Sequence, residues 1–166
     1  MEREFHHHTF EPVFDENSEI LILGTFPSVK SRENNFYYGH PQNRFWRVLS
    51  EVLGTEAPKD IEAKKQMLLS NRIAVWDVVK SCEISNSADS TIKSVVPNDL
   101  SEILEKTRIK KIYANGKTAE KLYNRYIKKH TKTDIITLPS TSPANASYNM
   151  KKLVDEWKNI RKELSI

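Results

Sequence analysis

Glu19-Ile20-Leu21-Ile22-Leu23 is apolar at four successive positions and breaks at Gly24-Thr25-Phe26-Pro27-Ser28. Successive strand residues face opposite sides of a sheet, so such a run must be covered on both faces, as in a parallel sheet between two layers. Three later segments repeat the pattern: Arg72 to Val79, Ile109 to Ala114 and Asp134 to Leu138. Helical patterns lie between them. Phe45, Trp46, Leu49, Val52 and Leu53 are spaced for a helix that begins near Asn43; Asp60 is placed to cap a helix through Leu68, and Asn98 or Asp99 one through Leu104. Further helices are predicted over Thr118 to Lys129 and from about Tyr148 to Leu164. Strands alternating with helices predict a three-layer α/β/α sandwich with a mainly parallel, four-stranded central sheet. The strand ends, Gly24 to Ser28, Asp77 to Ser81, Asn115-Gly116 and Pro139 to Asn145, are polar or turn-forming. They should converge on one edge of the sheet, where open α/β sheets bind ligands. Ser81 to Lys93 is polar and reads as a loop over that edge.

A chain of 166 residues is expected to form one domain, 1–166, with its own core. Its net charge of +4 suits a polyanionic partner without demanding one. The basic residues cluster at Lys106 to Lys111, Lys117 to Lys132 and Lys151 to Lys162, stretches that equally suit solvated helix faces. No run reaches transmembrane length and the first residues lack the order of a signal peptide, so the expected setting is cytoplasmic, away from membranes. The single cysteine, Cys82, fits a reducing compartment. His6-His7-His8 reads as a tag remnant or a metal site. Adjacent histidines point in different directions and no Cys or acid pair at zinc spacing accompanies them, so no metal is expected. Phe10-Glu11-Pro12-Val13-Phe14 reads as an extended lead-in to the first strand.

Between the first strand and the first long helix lies Phe36-Tyr37-Tyr38-Gly39-His40-Pro41-Gln42-Asn43-Arg44-Phe45-Trp46, a dense set of aromatics, amides and a basic group. Together with Gly24-Thr25-Phe26-Pro27 it resembles the first motif region of the uracil-DNA glycosylase superfamily. The closer resemblance is to the hypoxanthine-DNA glycosylase branch, through Gly-Thr-x-Pro-Ser, Tyr-Tyr-x-His-Pro-x-Asn-x-Phe-Trp, Asp-Val-x-x-Ser-Cys, Asn-Gly and Pro-Ser-Thr-Ser-Pro-Ala.

That resemblance implies a monofunctional DNA glycosylase of base excision repair, acting without metal or cofactor on DNA containing deaminated bases, as a monomer. Hypoxanthine is the first expectation. Uracil or mismatched thymine is the alternative within the class, and a catalytically silent nucleic-acid- or nucleotide-binding module the alternative outside it. Other branches carry an Asn or Asp where this chain has Phe26, so the catalytic amide is expected at Asn43, which also suits a helix N-cap. The resemblance places Tyr38 under the flipped base and Thr25 and Phe26 in the pocket wall, with core packing as the other reading of the two rings. Tyr37 is a weaker stacking candidate, and His40 reads as a structural hydrogen-bonder before Pro41. Asp77 would accept the N1–H of hypoxanthine or cap loop amides; Asn115 would face the base or make a turn. Ser28 and Ser31 on one side, and Ser140, Ser142 and Ala144 on the other, would approach phosphate. Ala144 falls at the wedge position and is too small to fill a base-sized gap. Lys30 is expected on phosphate.

Overall fold

The computed structural model describes residues 4–8, 10–84 and 92–166. Its centre is a parallel sheet in the order β3-β2-β6-β7, built from β2 (Ile20–Gly24), β3 (Ile73–Asp77), β6 (Lys111–Asn115) and β7 (Ile135–Leu138). Around it run β1 (Glu4–His7), α1 (Val29–Asn34), α2 (Phe45–Leu53), α3 (Ile61–Ser70), β4 (Val79–Ile84), β5 (Lys93–Pro97), α4 (Ser101–Lys106), α5 (Lys117–Tyr126), α6 (Lys128–Thr131) and α7 (Met150–Trp157). The chain continues from α7 as a 3-10 segment, Lys158–Glu163, where a longer α-helix was expected.

All five residues of β2 are buried, as a central strand covered on both faces requires. Its alternation divides the core. Ile20 and Ile22 pack with Ile73, Val75 and Tyr113 against Phe45, Leu49, Leu68, Leu153 and Trp157 of α2, α3 and α7. Leu21 and Leu23 pack with Ala74 and Ile112 against Tyr123 and Ile127 of α5 and its end, and against Val79, Cys82 and Ile84 of β4. The three layers are therefore real, but one outer layer is part helix and part sheet.

That second sheet corrects the sequence reading. Residues expected to form a loop, Ser81 to Lys93, instead contribute to β4 and β5, which form an antiparallel sheet in the order β1-β4-β5; 85–91 lie outside the described residues. The pattern was illegible because β5 is half exposed and largely lacks an apolar repeat, while the other partner of β4 comes from the far end of the chain. Two residues of the histidine triplet join this sheet: His6 and His7 are strand residues, paired with Cys82 and Ser81. The expected lead-in segment is extended, and Val13 exchanges two 3.0 Å backbone hydrogen bonds with Val75 at the edge of the main sheet.

Asp60 caps α3 as expected, accepting from the Ala63 amide at 2.7 Å. The cap of α4 is Leu100 rather than Asn98 or Asp99; Asp99, one residue earlier, accepts from the Ser101 amide at 2.9 Å in an Asx turn. At the other end of the chain, Trp157 is fully buried, packs edge-on against Phe45 at 5.8 Å, and donates its indole N–H to the Pro139 carbonyl at 2.9 Å. Trp157→Ala removes both packing and that bond. It should lower the unfolding free energy in a urea titration by about 3–5 kcal/mol; a loss below about 1 kcal/mol would show that α7 is not part of the cooperative core.

Candidate active site

The parallel strands end together at a cavity of about 990 Å³. Strand register decides which side chains meet there. Gly24 pairs with Asp77, and Leu23 with Ala114, so Gly24, Asp77 and Asn115 end three adjacent strands in one row. By alternation that row lies on the α2 and α7 face. All four expected strand-end segments contribute lining residues, though of Asp77 to Ser81 only Asp77 does.

Close approach explains the glycine. A Cβ at Gly24 would lie 2.8 Å from the Tyr38 hydroxyl and would collide with Oδ1 of Asp77. The Asp77 carboxylate and the Tyr38 phenol therefore converge over the one residue that leaves room for them. Tyr38 stacks on Phe45 with ring centroids 4.0 Å apart and planes 17° apart, and it lines the cavity. Its φ of 52° lies in the left-handed region. That is an unfavourable conformation for a bulky residue, worth on the order of 1–3 kcal/mol, and such strain gathers at functional sites. Tyr37 is the core aromatic of the pair. Its hydroxyl donates to the Glu11 carbonyl at 2.9 Å, and burial pushes its ionisation far above the ordinary phenol range.

Asn43 sits at the entrance to α2, and its amide orientation is determined. A backbone N–H only donates, so Oδ1 is the atom that accepts from Phe45 at 3.0 Å. By the same logic Oδ1 of Asn115 accepts from the Thr141 amide at 3.0 Å, and Nδ2 of Asn115 donates to the Thr141 hydroxyl at 3.0 Å. Thr141 then gives its own hydrogen to Oδ1 of Asn43 at 2.9 Å. Two donors fill Oδ1, while Nδ2 of Asn43 makes no hydrogen bond among the described residues; Asn43 and Asn115 are both lining residues of the cavity. The N-cap role expected of Asn43 falls instead to Arg44, which makes no side-chain cap bond; Asn43, one residue earlier, accepts two residues ahead in an Asx turn. Asn115 lines the cavity, but both ends of its amide are engaged by Thr141.

The neighbouring arginine secures the opposite rim. Arg44 donates to the carbonyls of Ser142 at 3.0 Å, Asn145 at 3.2 Å and Tyr148, and its backbone N–H reaches the Thr141 carbonyl at 3.0 Å. Within that loop the Ser142 amide donates to the Ser140 hydroxyl and the Ala144 amide to the Ser142 hydroxyl, each at 3.1 Å. Both serines keep a hydroxyl hydrogen for an outside acceptor. Ala144 is exposed at the rim. Across the cavity Ser28 caps α1, accepting from the Ser31 amide at 3.2 Å. Ser31, expected on phosphate, is 2% exposed, and its hydroxyl accepts from Ser28 and from the Gly39 amide. It braces the loop. Lys30 pairs with Glu33 at 3.3 Å and is absent from the cavity wall. His40 accepts from the Gln42 amide through Nδ1 at 3.1 Å, a structural bond of the kind expected.

Thr25 and Phe26 line the cavity and are buried. Phe26 also packs with the second core, lies 6.2 Å from the His8 ring and carries the Arg32 guanidinium 5.7 Å from its centroid. The largest surprise is His8. Its Nε2 is 2.8 Å from Oδ2 of Asp77, with both side chains about 5% exposed or less. Sequence reasoning missed His8, Thr141 and Arg44. Thr141 stood within the serine-rich motif and was legible only as another hydroxyl; the others act over separations of 69 and about 100 residues, which no local pattern reports.

Fold and site together define an α/β domain with a cavity at its strand ends, lined by the stacked ring of Tyr38, the carboxylate of Asp77 and the amides of Asn43 and Asn115. A model of the uracil DNA glycosylase superfamily matches residues 11–164. Two archaeal proteins named hypoxanthine DNA glycosylase are similar. The one from Methanosarcina acetivorans is 37% identical over 154 residues, 91% of this chain and 95% of its own. The one from Methanosarcina barkeri is 37% identical over 110 residues, 65% of this chain and 70% of its own. The solution NMR structure of a candidate uracil DNA glycosylase from Methanosarcina acetivorans superposes with a TM-score of 0.76 at 33% identity, covering 92% of this chain and 96% of that one. This chain belongs to the uracil DNA glycosylase superfamily, and its fold is that of a DNA glycosylase domain.

Gly24→Ala puts a methyl group where the carboxylate and phenol meet. It should cost about 1–3 kcal/mol by chemical denaturation, as overpacking does. An unchanged midpoint would show that Asp77 and Tyr38 swing aside freely.

Proposed function

We propose that this enzyme is a monofunctional DNA repair glycosylase that hydrolyses the N-glycosidic bond of deoxyinosine, releasing hypoxanthine from a nucleotide flipped out of DNA. The observation that carries the reading is the convergence of a fixed amide donor, a paired carboxylate and a stacked tyrosine on one cavity, in a chain similar to two proteins of that name.

The chemistry follows from what each group has left to offer. A flipped base enters the cavity and lies against Tyr38, whose ring is backed by Phe45. Thr25 and Phe26 close the wall. Oδ1 of Asp77 accepts the N1–H of hypoxanthine. Adenine, with a bare N1 acceptor there, sets lone pair against lone pair and is refused. As the glycosidic bond breaks, negative charge grows on the departing purine and positive charge on the sugar; water then adds at the sugar C1′, and the proton it loses balances the one the purine anion takes up from solvent. Nδ2 of Asn43, a donor held by two bonds to its own oxygen, stabilises the purine anion without reorganising. Because Oδ1 of Asn43 is filled, the amide serves this donor role rather than accepting a proton from water. Asn115 acts one step back, through Thr141. The hydroxyls of Ser140 and Ser142, with the Ala144 segment, meet the phosphates flanking the flipped nucleotide, while Ser28, its hydrogen given to Ser31, shapes the facing rim. Ser31 supports that rim from within.

The reading is tested with duplexes carrying one deoxyinosine, deoxyuridine or deoxyxanthosine, treated with alkali after incubation. Alkali-dependent cleavage at deoxyinosine is expected; cleavage at deoxyuridine alone would move the substrate to uracil, and tight duplex binding with no release would leave a silent module. Asn43→Ala should slow hypoxanthine release by about 10²–10³-fold, the usual cost of one transition-state donor, with duplex affinity nearly unchanged. Tyr38→Ala should weaken capture of the base by about 1–3 kcal/mol, read as a raised half-saturation concentration in single-turnover kinetics; an unchanged value would return Tyr38 to the core.

A further inference from the structure

The segment 4–8 precedes residues 11–164, the part that the family model matches. It nevertheless supplies a side chain that holds a carboxylate of the cavity wall from behind. β1 is hydrogen-bonded along β4, and the His8 amide continues the tie by donating to the Lys80 carbonyl at 2.7 Å. This carries the His8 ring into a cage of aromatics: Phe10 at 4.6 Å, Tyr37 at 5.8 Å and Phe26 at 6.2 Å. From that cage Nε2 reaches Oδ2 of Asp77 at 2.8 Å.

A carboxylate as buried as Asp77 must be paired or hydrogen-bonded. His8 supplies the pair from behind. The two carboxylate oxygens are thereby distinguished: Oδ2 is bound to the imidazole, and Oδ1 is the oxygen that crowds Gly24 beside the Tyr38 hydroxyl at the cavity. Hydrogen bonds are directional, so an acceptor that must read one N–H of a base gains from a fixed carboxyl plane. We propose that His8 is a positioning residue for base recognition: through Oδ2 it sets the Asp77 carboxylate so that Oδ1 meets an N–H on the Watson–Crick edge of the flipped base. This rests on the glycosylase reading above. The class of base selected is one with a ring N–H at that edge, such as N1–H of hypoxanthine or N3–H of uracil. A base with a bare ring nitrogen there is excluded. The N-terminal segment thus acts on the specificity pocket through Asp77.

The experiment is a double-mutant cycle on the full chain, following single-turnover release of hypoxanthine from a duplex with one deoxyinosine. His8→Leu and His8→Phe keep apolar bulk in the cage and remove the donor; each should slow release by about tenfold or more, the scale of a lost hydrogen bond to a charged group. His8→Gln restores an N–H and should return the rate to within about threefold of the parent. In an Asp77→Asn background, His8→Leu should cost less than about twofold more, because the two residues act as one unit. A purely structural histidine gives the opposite result: the factors multiply and glutamine does not rescue. Either outcome overturns the proposal, as does a full rate in both apolar variants. Should those variants fail to fold, imidazole ¹H–¹⁵N spectra of the parent and of Asp77→Asn decide: a protected Nε2 proton on His8 that is lost with the carboxylate supports the pair, and an unchanged spectrum removes it. A parent enzyme that releases neither hypoxanthine nor uracil defeats the glycosylase reading, and this proposal with it. A working parent with an additive cycle defeats only the role of His8.

Discussion

The register between β2 and β3 is the constraint on which the site depends. Pairing Gly24 with Asp77 puts the carboxylate beside the one residue with no side chain to obstruct it, on the same face as the α2 entrance. Because strand side chains alternate, a slip of one residue would turn Asp77 to the opposite layer, toward α5 and the small sheet. The apolar runs of β2 and β3, buried on both faces, forbid that slip. Core packing and pocket geometry are in this sense one property. Ile22 and Val75 lock the pair that Gly24 and Asp77 then display.

What the sequence disclosed follows from the range of the forces involved. β2, β3, β6 and β7 were readable because their signal is local: short apolar runs ended by polar or turn residues. The cap at Asp60 was readable for the same reason. β1, β4 and β5 were not, since their order comes from pairing between distant segments. Lys80 is exposed, and β5 has no fully buried residue, so no apolar stripe marks this sheet. The candidate site divides along the same line. Gly24, Thr25, Phe26, Tyr38, Asn43, Asp77 and Asn115 all reach the cavity, because strand ends and the loop before α2 deliver them there. How they are bonded was not legible. The sequence shows an amide at position 43 but not that Thr141 occupies its oxygen, and a carboxylate at position 77 but not that a histidine from the other end of the chain holds it.

The two rims differ in their freedom to respond. The rim at Ser28 and Ser31 belongs to a short helix whose hydroxyls bond to one another and to Gly39. The rim at Ser140 to Asn145 has no regular secondary structure, yet its carbonyls converge on one guanidinium. In both places polar groups that would otherwise need water are satisfied inside the protein, while the hydroxyl hydrogens of Ser140 and Ser142 remain for a ligand.

Asn43 and Arg44 are adjacent, and that adjacency has a consequence for how the cavity meets its ligand. One residue reaches inward to the Thr141 hydroxyl and the next reaches over to the carbonyls that follow it. The entrance to α2 and the loop before α7 are thereby riveted across a separation of about 100 residues. A guest entering the cleft meets jaws already set at a fixed gap. Little ordering is left for the moment of contact, so discrimination between guests falls on shape and hydrogen-bond polarity rather than on closure around them.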